Sequence, residues 1–577
     1  MSTSLPAWAQ EMHDLFKSGS VSQFVIYGNV FDVVPAEGKG GPRPLPLKVF
    51  LEQVMFDGYD VVLQYDRGRG IRATKGGDDW ARWLKQYAGD DANVVASVRQ
   101  AGGALELLDR YLLRTINLQF LSGGEAKRLK IAVVIDFAEF VVPRGDPIQM
   151  GGDFSANVVK VLGWANDPAV LQSNIITVLL TEGLHDLNEL VVDNPHVSKL
   201  HIPLPDENEM LDYVNTLVAT QVPDLASRCE VPIANLARRL SGLSRVGART
   251  VISMATGNGG KITARYLTGM KKEMIERECG ELLEFVESSL TLDNVAGLDA
   301  AKAWLREDAE LLRRGTLSAL PMGYLVTGRI GTGKTFLVQC WAGELGIPCV
   351  VLKNFRDRWV GATESNLEKI FAVLRALGQV VVFVDEADQV AGKRESGEGD
   401  SGLSGRVYAM LAAEMSQTRN RGRILWVFAT SRPDLLEVDL KRQGRLDVHI
   451  PLFPPQSPEE MKVLLLSIAK RLHLPLEETD IPEIPAGLIL GGNEVEGVLV
   501  RAVRTCELAP PPAPPFKQVF SDVLREIRPS AHTRKLEYMD LVAVRECTDR
   551  RFLPVQFRDL APEDIERRIG ELAPFVV

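Results

Sequence analysis

Apolar positions along this chain fall into two kinds of stretch. Short runs of β-branched and aliphatic residues recur between Ser20 and Pro35, in Asp60-Val-Val-Leu-Gln-Tyr-Asp66, in Ile131-Ala-Val-Val-Ile-Asp136 and in Asn174 to Thr181. They return at Tyr324 to Thr327, Pro348 to Leu352, Val380 to Val384 and Ile424 to Thr430. Runs this short read as buried strands, and helical patterns lie between them. One such helix carries Leu367, Ile370, Phe371, Leu374 and Leu377 on a single face. Strands alternating with helices predict an α/β fold with parallel sheets. Polar, Gly/Pro-rich stretches at Glu37 to Pro46 and Gly392 to Arg406 read as mobile loops. The stretches 206–285 and Pro458 to Val577 are helix-rich, the second broken by Ala509-Pro-Pro-Pro-Ala-Pro-Pro515, a stiff spacer between lid helices.

The two strand-rich halves echo one another. Val133-Val-Ile-Asp-Phe-Ala-Glu139 answers Val382-Phe-Val-Asp-Glu-Ala-Asp388, and Thr181-Glu-Gly-Leu-His-Asp-Leu answers Thr430-Ser-Arg-Pro-Asp-Leu. His201-Ile-Pro-Leu answers His449-Ile-Pro-Leu, all at a spacing of 248 to 249 residues. The chain therefore reads as one domain plan in tandem. The expected divisions are 1–205 for the first α/β domain, 206–285 for its helical lid, 286–455 for the second α/β core and 456–577 for the second lid.

Composition narrows the class. With 577 residues, 45% apolar and 25% charged, the chain is that of a soluble protein of several domains. A net charge of −10 gives no sign of bulk nucleic-acid or anionic-membrane binding. Six cysteines are scattered without a C-x-x-C pair, which reads as reduced thiols. Met1 to Ser18 lacks the apolar core of a signal peptide, and no apolar run approaches the roughly 18 residues of a membrane span. A cytoplasmic location is the expectation.

The chemistry concentrates in the second half. Tyr324 to Val326 feed a glycine-rich turn, Gly328-Arg329-Ile330-Gly331-Thr332-Gly333, and Lys334-Thr335 open a helix, which is the P-loop order. Glycines there let backbone N–H groups converge on a triphosphate at a helix N-terminus. Lys334 is placed for the β- and γ-phosphates of ATP and the Thr335 hydroxyl for Mg²⁺. Fifty residues on, an apolar strand ends in Asp385-Glu386. Asp385 is expected to hold the metal through water, and Glu386 to orient and deprotonate the attacking water.

The first half lacks these groups. Its strand at 60–66 runs into Arg67-Gly-Arg-Gly-Ile71, read as the ruined counterpart of the phosphate loop, and Phe137 stands in place of Glu386. Asn194 and Val197 stand in place of Arg442 and Arg445. The first copy is expected not to hydrolyse ATP, and nucleotide binding without cleavage stays open.

Residues 288–577 resemble the AAA ATPases, on Gly328 to Thr335, Val382 to Asp388, Ala429-Thr-Ser-Arg-Pro-Asp-Leu435 and Asp439 to Asp447. The fold implied is a P-loop NTPase parallel sheet with a helical lid, present twice in tandem with a degenerate first copy. The resemblance implies that Arg442 and Arg445 reach the ATP site of a neighbouring subunit, and that Val295 and Ala296, in Asn294-Val-Ala-Gly297, back the adenine. Ser431 stands where the family usually has an asparagine that senses the γ-phosphate. Gly491-Gly492 occupy the lid's usual contact, and the prolines common at positions 329 and 330 are missing, without cost to the backbone cradle. Trp359-Val360-Gly361 matches a pore loop that grips polypeptide in a homo-hexamer or other ring. The whole chain is similar to bacterial and plastid-encoded AAA proteins that join a degenerate half to an active one. Membrane AAA proteases are set apart by the absence of H-E-x-x-H. The function implied is an ATP-hydrolysing, ring-forming protein-remodelling machine; the alternative is a nucleotide-dependent assembly switch or scaffold that threads nothing.

Overall fold

The structure, a computed structural model, describes residues 5–38, 41–92, 98–121, 129–146, 150–257, 262–279, 282–286, 288–353, 363–391, 401–474, 476–485, 488–510, 514–527 and 532–576. Contacts divide the chain into two compact units, Met1–Met274 with Glu364–Ala376, and Ile275–Thr363 with Leu377–Val577.

The first unit contains β1 (Gln23–Gly28), β2 (Val33–Gly38), β3 (Gly41–Pro46), β4 (Val61–Asp66), β5 (Gly70–Lys75), β6 (Ile131–Ile135), β7 (Ile175–Thr181) and β8 (Val197–Ile202). Six of them form a sheet in the order β5-β4-β6-β7-β1-β8, parallel except for β5. Every residue of β4, β6 and β7 is buried, so these strands need apolar side chains on both faces, which is why they read as unbroken runs. Alternate residues serve opposite cores. Val25, Leu63, Tyr65 and Val133 pack with Trp80, Trp83 and Tyr111, whereas Phe24, Val62, Ala132 and Val178 pack with Trp8, Phe50 and Phe56.

The second unit repeats the plan with β9 (Leu283–Val286), β10 (Gly323–Thr327), β11 (Cys349–Leu352), β12 (Val380–Val384), β13 (Ile424–Thr430) and β14 (Val448–Pro451). Their order is β14-β10-β13-β12-β11-β9, with β9 the antiparallel edge. Strand for strand, β1 matches β10, β4 matches β11, β6 matches β12, β7 matches β13 and β8 matches β14.

That equivalence corrects the reading of Arg67 to Ile71. The segment is the turn from β4 into antiparallel β5, and two strands, β6 and β7, separate β4 from β1, the counterpart of the strand that precedes the phosphate loop. The counterpart of Gly328 is Gly28, at the end of β1. Three boundaries also move. Within the expected loop Glu37 to Pro46, Glu37–Gly38 and Gly41–Pro46 are paired in β2 and β3. The expected division at 285/286 falls inside β9, which belongs to the second sheet. Residues 401–406, expected in a loop, begin the helix Ser401–Met415.

The first lid comprises the helices Glu207–Thr220, Ile233–Leu240, Arg245–Gly257 and Ala264–Glu278. Its first helix starts in a capping box, with the Asp206 and Glu209 carboxylates accepting each other's backbone N–H. The expected second lid, 456–577, is two packings. Helices Pro458–Arg471, Gly492–Leu508 and Phe516–Glu526 share one core around Leu465, Leu499 and Phe520. Helices Thr533–Glu546 and Pro562–Leu572 form another, in which Val542 and Ile569 pack with Phe453. The Thr548 hydroxyl accepts the His449 N–H at 2.8 Å, fastening this second packing to β14.

Beneath β10 lies a buried acid. The Tyr324 hydroxyl donates to Asp308 Oδ2 at 2.8 Å, and burial pushes the Asp308 carboxyl up to about 6. The folded state thus holds this proton more tightly than the unfolded chain, and stability falls as pH rises from about 4 to about 6. Asp308→Asn keeps an acceptor for Tyr324 and removes the charge. It is expected to raise the thermal midpoint at pH 7.5, by the equivalent of about 2–3 kcal/mol at most, and to change it little at pH 4.5. Equal shifts at both values would show that the charge is not the cause.

Candidate nucleotide site

The site begins with how β10 ends. Gly328 has φ +140°, and a Cβ there would stand 2.3 Å from the Leu452 carbonyl oxygen, so only glycine fits. Gly331 and Gly333 both take left-handed φ of +86°, curling the loop into the helix Lys334–Leu345. The Thr332 hydroxyl donates to the Arg329 carbonyl at 2.9 Å and braces the curl.

Lys334 lies at the first turn of that helix. Its ammonium donates to the carbonyls of Gly328 at 2.8 Å and Arg329 at 3.1 Å. Burial pushes its pKa below the ordinary lysine value, and the carboxylates of Asp385, Asp388 and Glu386 oppose that shift. The Thr335 hydroxyl donates to Asp385 Oδ2 at 2.7 Å, while Asp385 Oδ1 accepts the Glu386 N–H at 2.9 Å. Glu386 has φ +46°, an uncommon conformation for a residue with a side chain, and it is exposed. The backbone therefore turns sharply as it leaves β12, separating the Asp385 carboxylate, which meets Thr335, from the exposed Glu386.

The donors at this point suit Mg²⁺: a hydroxyl and a carboxylate oxygen, side by side at the mouth of a phosphate loop, with no thiolate or imidazole among them. Two or so protein oxygens are what Mg²⁺ uses where phosphates and water complete its shell.

Val295 and Ala296 lie on the wall of a cleft of about 730 Å³ whose floor is Gly331 to Gly333. Phe336, Arg471 and Gly491 are also among its lining residues, and the Arg471 guanidinium sits 5.2 Å from the Phe336 ring centre. The lid is joined to the loop directly, since the Gly492 N–H donates to the Gly331 carbonyl at 2.8 Å.

Ser431 follows β13 and is partly buried at the site's edge. Its neighbour Thr430 is tied in more tightly, donating to Asp388 Oδ1 at 2.5 Å and accepting the Arg432 N–H at 2.9 Å. Thr430 and Asp388 lie inside the motifs at Ala429 to Leu435 and Val382 to Asp388, but the sequence gives neither a role of its own. From the sequence, Arg329 reads only as one residue of the nucleotide-binding loop. It is almost fully buried and pairs with Asp540 at 3.7 Å, linking the phosphate loop to helix Thr533–Glu546. Burial pushes the Asp540 carboxyl up to about 6.

The two arginines differ. Arg442 is 61% exposed and pairs with Asp439 at 3.0 Å. Arg445 is 7% exposed, and its guanidinium donates to the carbonyl of Asp439 at 2.9 Å and to its carboxylate, within its own protomer. Trp359, Val360 and Gly361 lie outside the described residues, as do 392–400.

Three family models match the chain. Residues 2–203 match the AAA+ chaperone N-terminal Rossmann-like domain, 209–280 the AAA+ chaperone second helical domain, and 324–453 the ATPase family associated with various cellular activities. Among similar proteins is the ATP-dependent zinc metalloprotease FtsH 1 of Symbiobacterium thermophilum, 31% identical over 40% of this chain and 39% of its own length. The cell division cycle protein 48 homolog of Archaeoglobus fulgidus is 25% identical over 72% of this chain and 58% of its own length. The peroxisomal ATPase PEX6 of Dictyostelium discoideum is 25% identical over 58% and 30%. The aligned region thus spans between about a third and three fifths of these relatives. The tandem sheets, the phosphate loop and the carboxylate pair agree with the matched models: the chain belongs to the AAA (AAA+) ATPase family.

Proposed function

We propose that the second unit binds ATP with Mg²⁺ at Gly328 to Thr335 and hydrolyses its terminal phosphoanhydride bond. The observation that carries this reading is the Thr335 hydroxyl on the Asp385 carboxylate at 2.7 Å, with Lys334 and Glu386 on either side. Loop N–H groups and the helix N-terminus receive the phosphates. Lys334 exchanges its two carbonyl partners for β- and γ-phosphate oxygens, a trade of neutral acceptors for charged ones. Thr335 and Asp385 hold Mg²⁺, which when bound neutralises charge on the phosphates. Glu386 takes a proton from water as its oxygen bonds to the γ-phosphorus and the bond to the bridging oxygen breaks, leaving ADP and phosphate. Ser431 hydrogen-bonds the water or the γ-phosphate, and its short side chain favours slow turnover. Val295 and Ala296 back the adenine with main-chain groups.

Lys334→Ala tests the assignment. Calorimetric titration with MgATP is expected to show binding weakened at least about a hundredfold, the cost of a charge-assisted contact and its Coulomb field. Affinity equal to that of the unaltered chain rules out this loop as the site.

The wider role follows from Arg442. An exposed guanidinium beside an ATPase core is useful to a neighbour related head to tail, and a closed ring satisfies all such contacts. We take the assembly to be a homo-hexamer or other ring in the cytoplasm, remodelling a polypeptide client gripped by Trp359, Val360 and Gly361, with no nucleic acid as partner. The assembly-switch reading is favoured by Ser431 and by a first copy without a catalytic base. The two part at Trp359: a Trp359→Ala protein that keeps its ATPase and its cellular role decides for the switch.

A further inference from the structure

We propose that the nucleotide cleft of the first domain is filled by the chain's own charges, so that this domain binds no nucleotide and its lid is clamped whatever the state of the second.

The strand equivalence locates the cleft. Gly28, the last residue of β1, stands as Gly328 does directly after β10; its φ is +96°, and a Cβ there would stand 2.6 Å from the Ile202 carbonyl oxygen, as one on Gly328 would stand against Leu452. Beyond that point the copies part. Where the second domain curls its N–H groups into a cradle, the first pairs them in the hairpin β2–β3. The helix that follows begins at Leu47, as the other begins at Lys334.

Lys48, the second residue of that helix, therefore occupies the place of Thr335. Its ammonium donates to Asp136 Oδ2 at 2.5 Å, and Asp136 Oδ1 accepts the Phe137 N–H at 3.2 Å. This is the bonding of Asp385, oxygen for oxygen, with a fixed ammonium where the other domain offers a hydroxyl and room for a divalent cation. Even the backbone is kept: Phe137 has φ +53° where Glu386 has +46°. A second positive ion beside the Lys48 ammonium would be repelled by it.

The phosphate side is filled too. Asp32, four residues past Gly28, is buried, and its carboxylate accepts the N–H groups of Arg245 and Val246 at 2.9 Å each. These are the first residues of lid helix Arg245–Gly257, the counterpart of Gly492–Leu508. Asn29 donates to the same carboxylate at 2.9 Å, and the buried Arg245 guanidinium lies 3.7 Å from it. In the second domain, loop and lid meet through a neutral carbonyl on Gly331. In the first they meet through a carboxylate, paired with the Arg245 guanidinium, that takes the lid helix's first N–H groups and leaves neither for a phosphate. Both charges that MgATP would bring are thus already present as side chains, and the contact that could report nucleotide to the lid is permanent.

Full-length chain carrying Glu386→Gln, titrated with MgATP in a calorimeter, is expected to bind one nucleotide per chain, and chain carrying Glu386→Gln with Lys334→Ala to bind none. Two sites in the former, or one left in the latter, overturn the proposal. No binding in either form overturns the ATP reading of the second domain and leaves the first empty, as inferred. Amide hydrogen exchange tests the clamp. In the Glu386→Gln chain, which is expected to hold MgATP in the second domain, exchange across 245–257 is expected to be the same with and without MgATP, and a change of more than twofold overturns the clamp. Asp32→Ala is expected to speed it about tenfold or more; Asp32→Asn, which keeps an acceptor oxygen and the shape, gives a smaller rise and serves if the alanine chain does not fold. Exchange within twofold of the unaltered chain in both variants removes Asp32 from the role.

Discussion

Glu386→Gln is expected to leave ATP bound and uncleaved. Asp385, the proposed metal carboxylate, is held by Thr335 at 2.7 Å and by the Glu386 backbone N–H at 2.9 Å, and neither bond uses the Glu386 side chain. Glutamine is nearly the same size, adopts φ +46° no less readily than glutamate, and differs in having no basic oxygen. Loss of a positioned base costs about 10²- to 10⁴-fold in turnover. Phosphate release at saturating ATP should therefore fall by that factor, with nucleotide affinity changed less than threefold. Release within threefold of the unaltered protein takes Glu386 out of the mechanism and leaves another group to be found. Asp388 is the first candidate, since it lies close enough to Lys334 to oppose the lowering of its pKa that burial causes.

How much of this was legible depends on whether the information is local. The central strands could be read directly because strands buried on both faces must be continuously apolar. The phosphate loop and Asp385-Glu386 could be read because glycines with positive φ and a carboxylate at a strand end leave a local signature. The counterpart of the phosphate loop was misplaced at Arg67 to Ile71 for the same reason. Glycines there resemble a phosphate turn, whereas the true position, after Gly28, has been rebuilt as a hairpin. The 249-residue spacing that aligns β6 with β12 and β7 with β13 does not extend to β1 and β10, since Gly28 and Gly328 are 300 residues apart.

The hairpin itself was hidden by prolines at 35, 42, 44 and 46, which argue for a loop. In a two-stranded ribbon both strands are edges, and a missing N–H can face outward. Lys48 on Asp136, Asp32 on the lid and Arg329 beside Asp540 are separated in sequence by 88, about 213 and about 211 residues. Nothing in the local pattern of either partner announces the other. The C-terminal helices pose a related problem, because amphipathic spacing shows that a face is buried without saying against what. Pro458–Arg471 and Thr533–Glu546 look alike as sequence, yet one builds the lid core and the other packs with Phe453.

Arg442 and Arg445 are expected to fail in different ways. The resemblance assigns both to a neighbour's ATP site, but the protomer itself distinguishes them. Arg442 is exposed, and its i,i+3 pair with Asp439 is a surface contact worth little. It can be redirected to a phosphate at small cost. Arg445 is held by the Asp439 carbonyl and carboxylate, in a position almost closed to solvent. Removing it strips a buried partner from the turn that carries both arginines. Arg442→Ala should lower turnover roughly 10³-fold or more, as loss of a guanidinium in trans does in related NTPases, with the thermal midpoint unchanged. Arg445→Ala should lower the midpoint as well as turnover. Mixing decides whether the group acts across subunits. An Arg442→Ala chain keeps an intact phosphate loop, and a Lys334→Ala chain keeps an intact arginine. Combined, they form some junctions in which both halves are sound, so activity should return when neither protein alone has any. If no ratio of the two restores phosphate release while each assembles normally, Arg442 acts within its own chain or not at all. If rescue requires Arg445 instead, the internal bonds seen here must open when a neighbour docks.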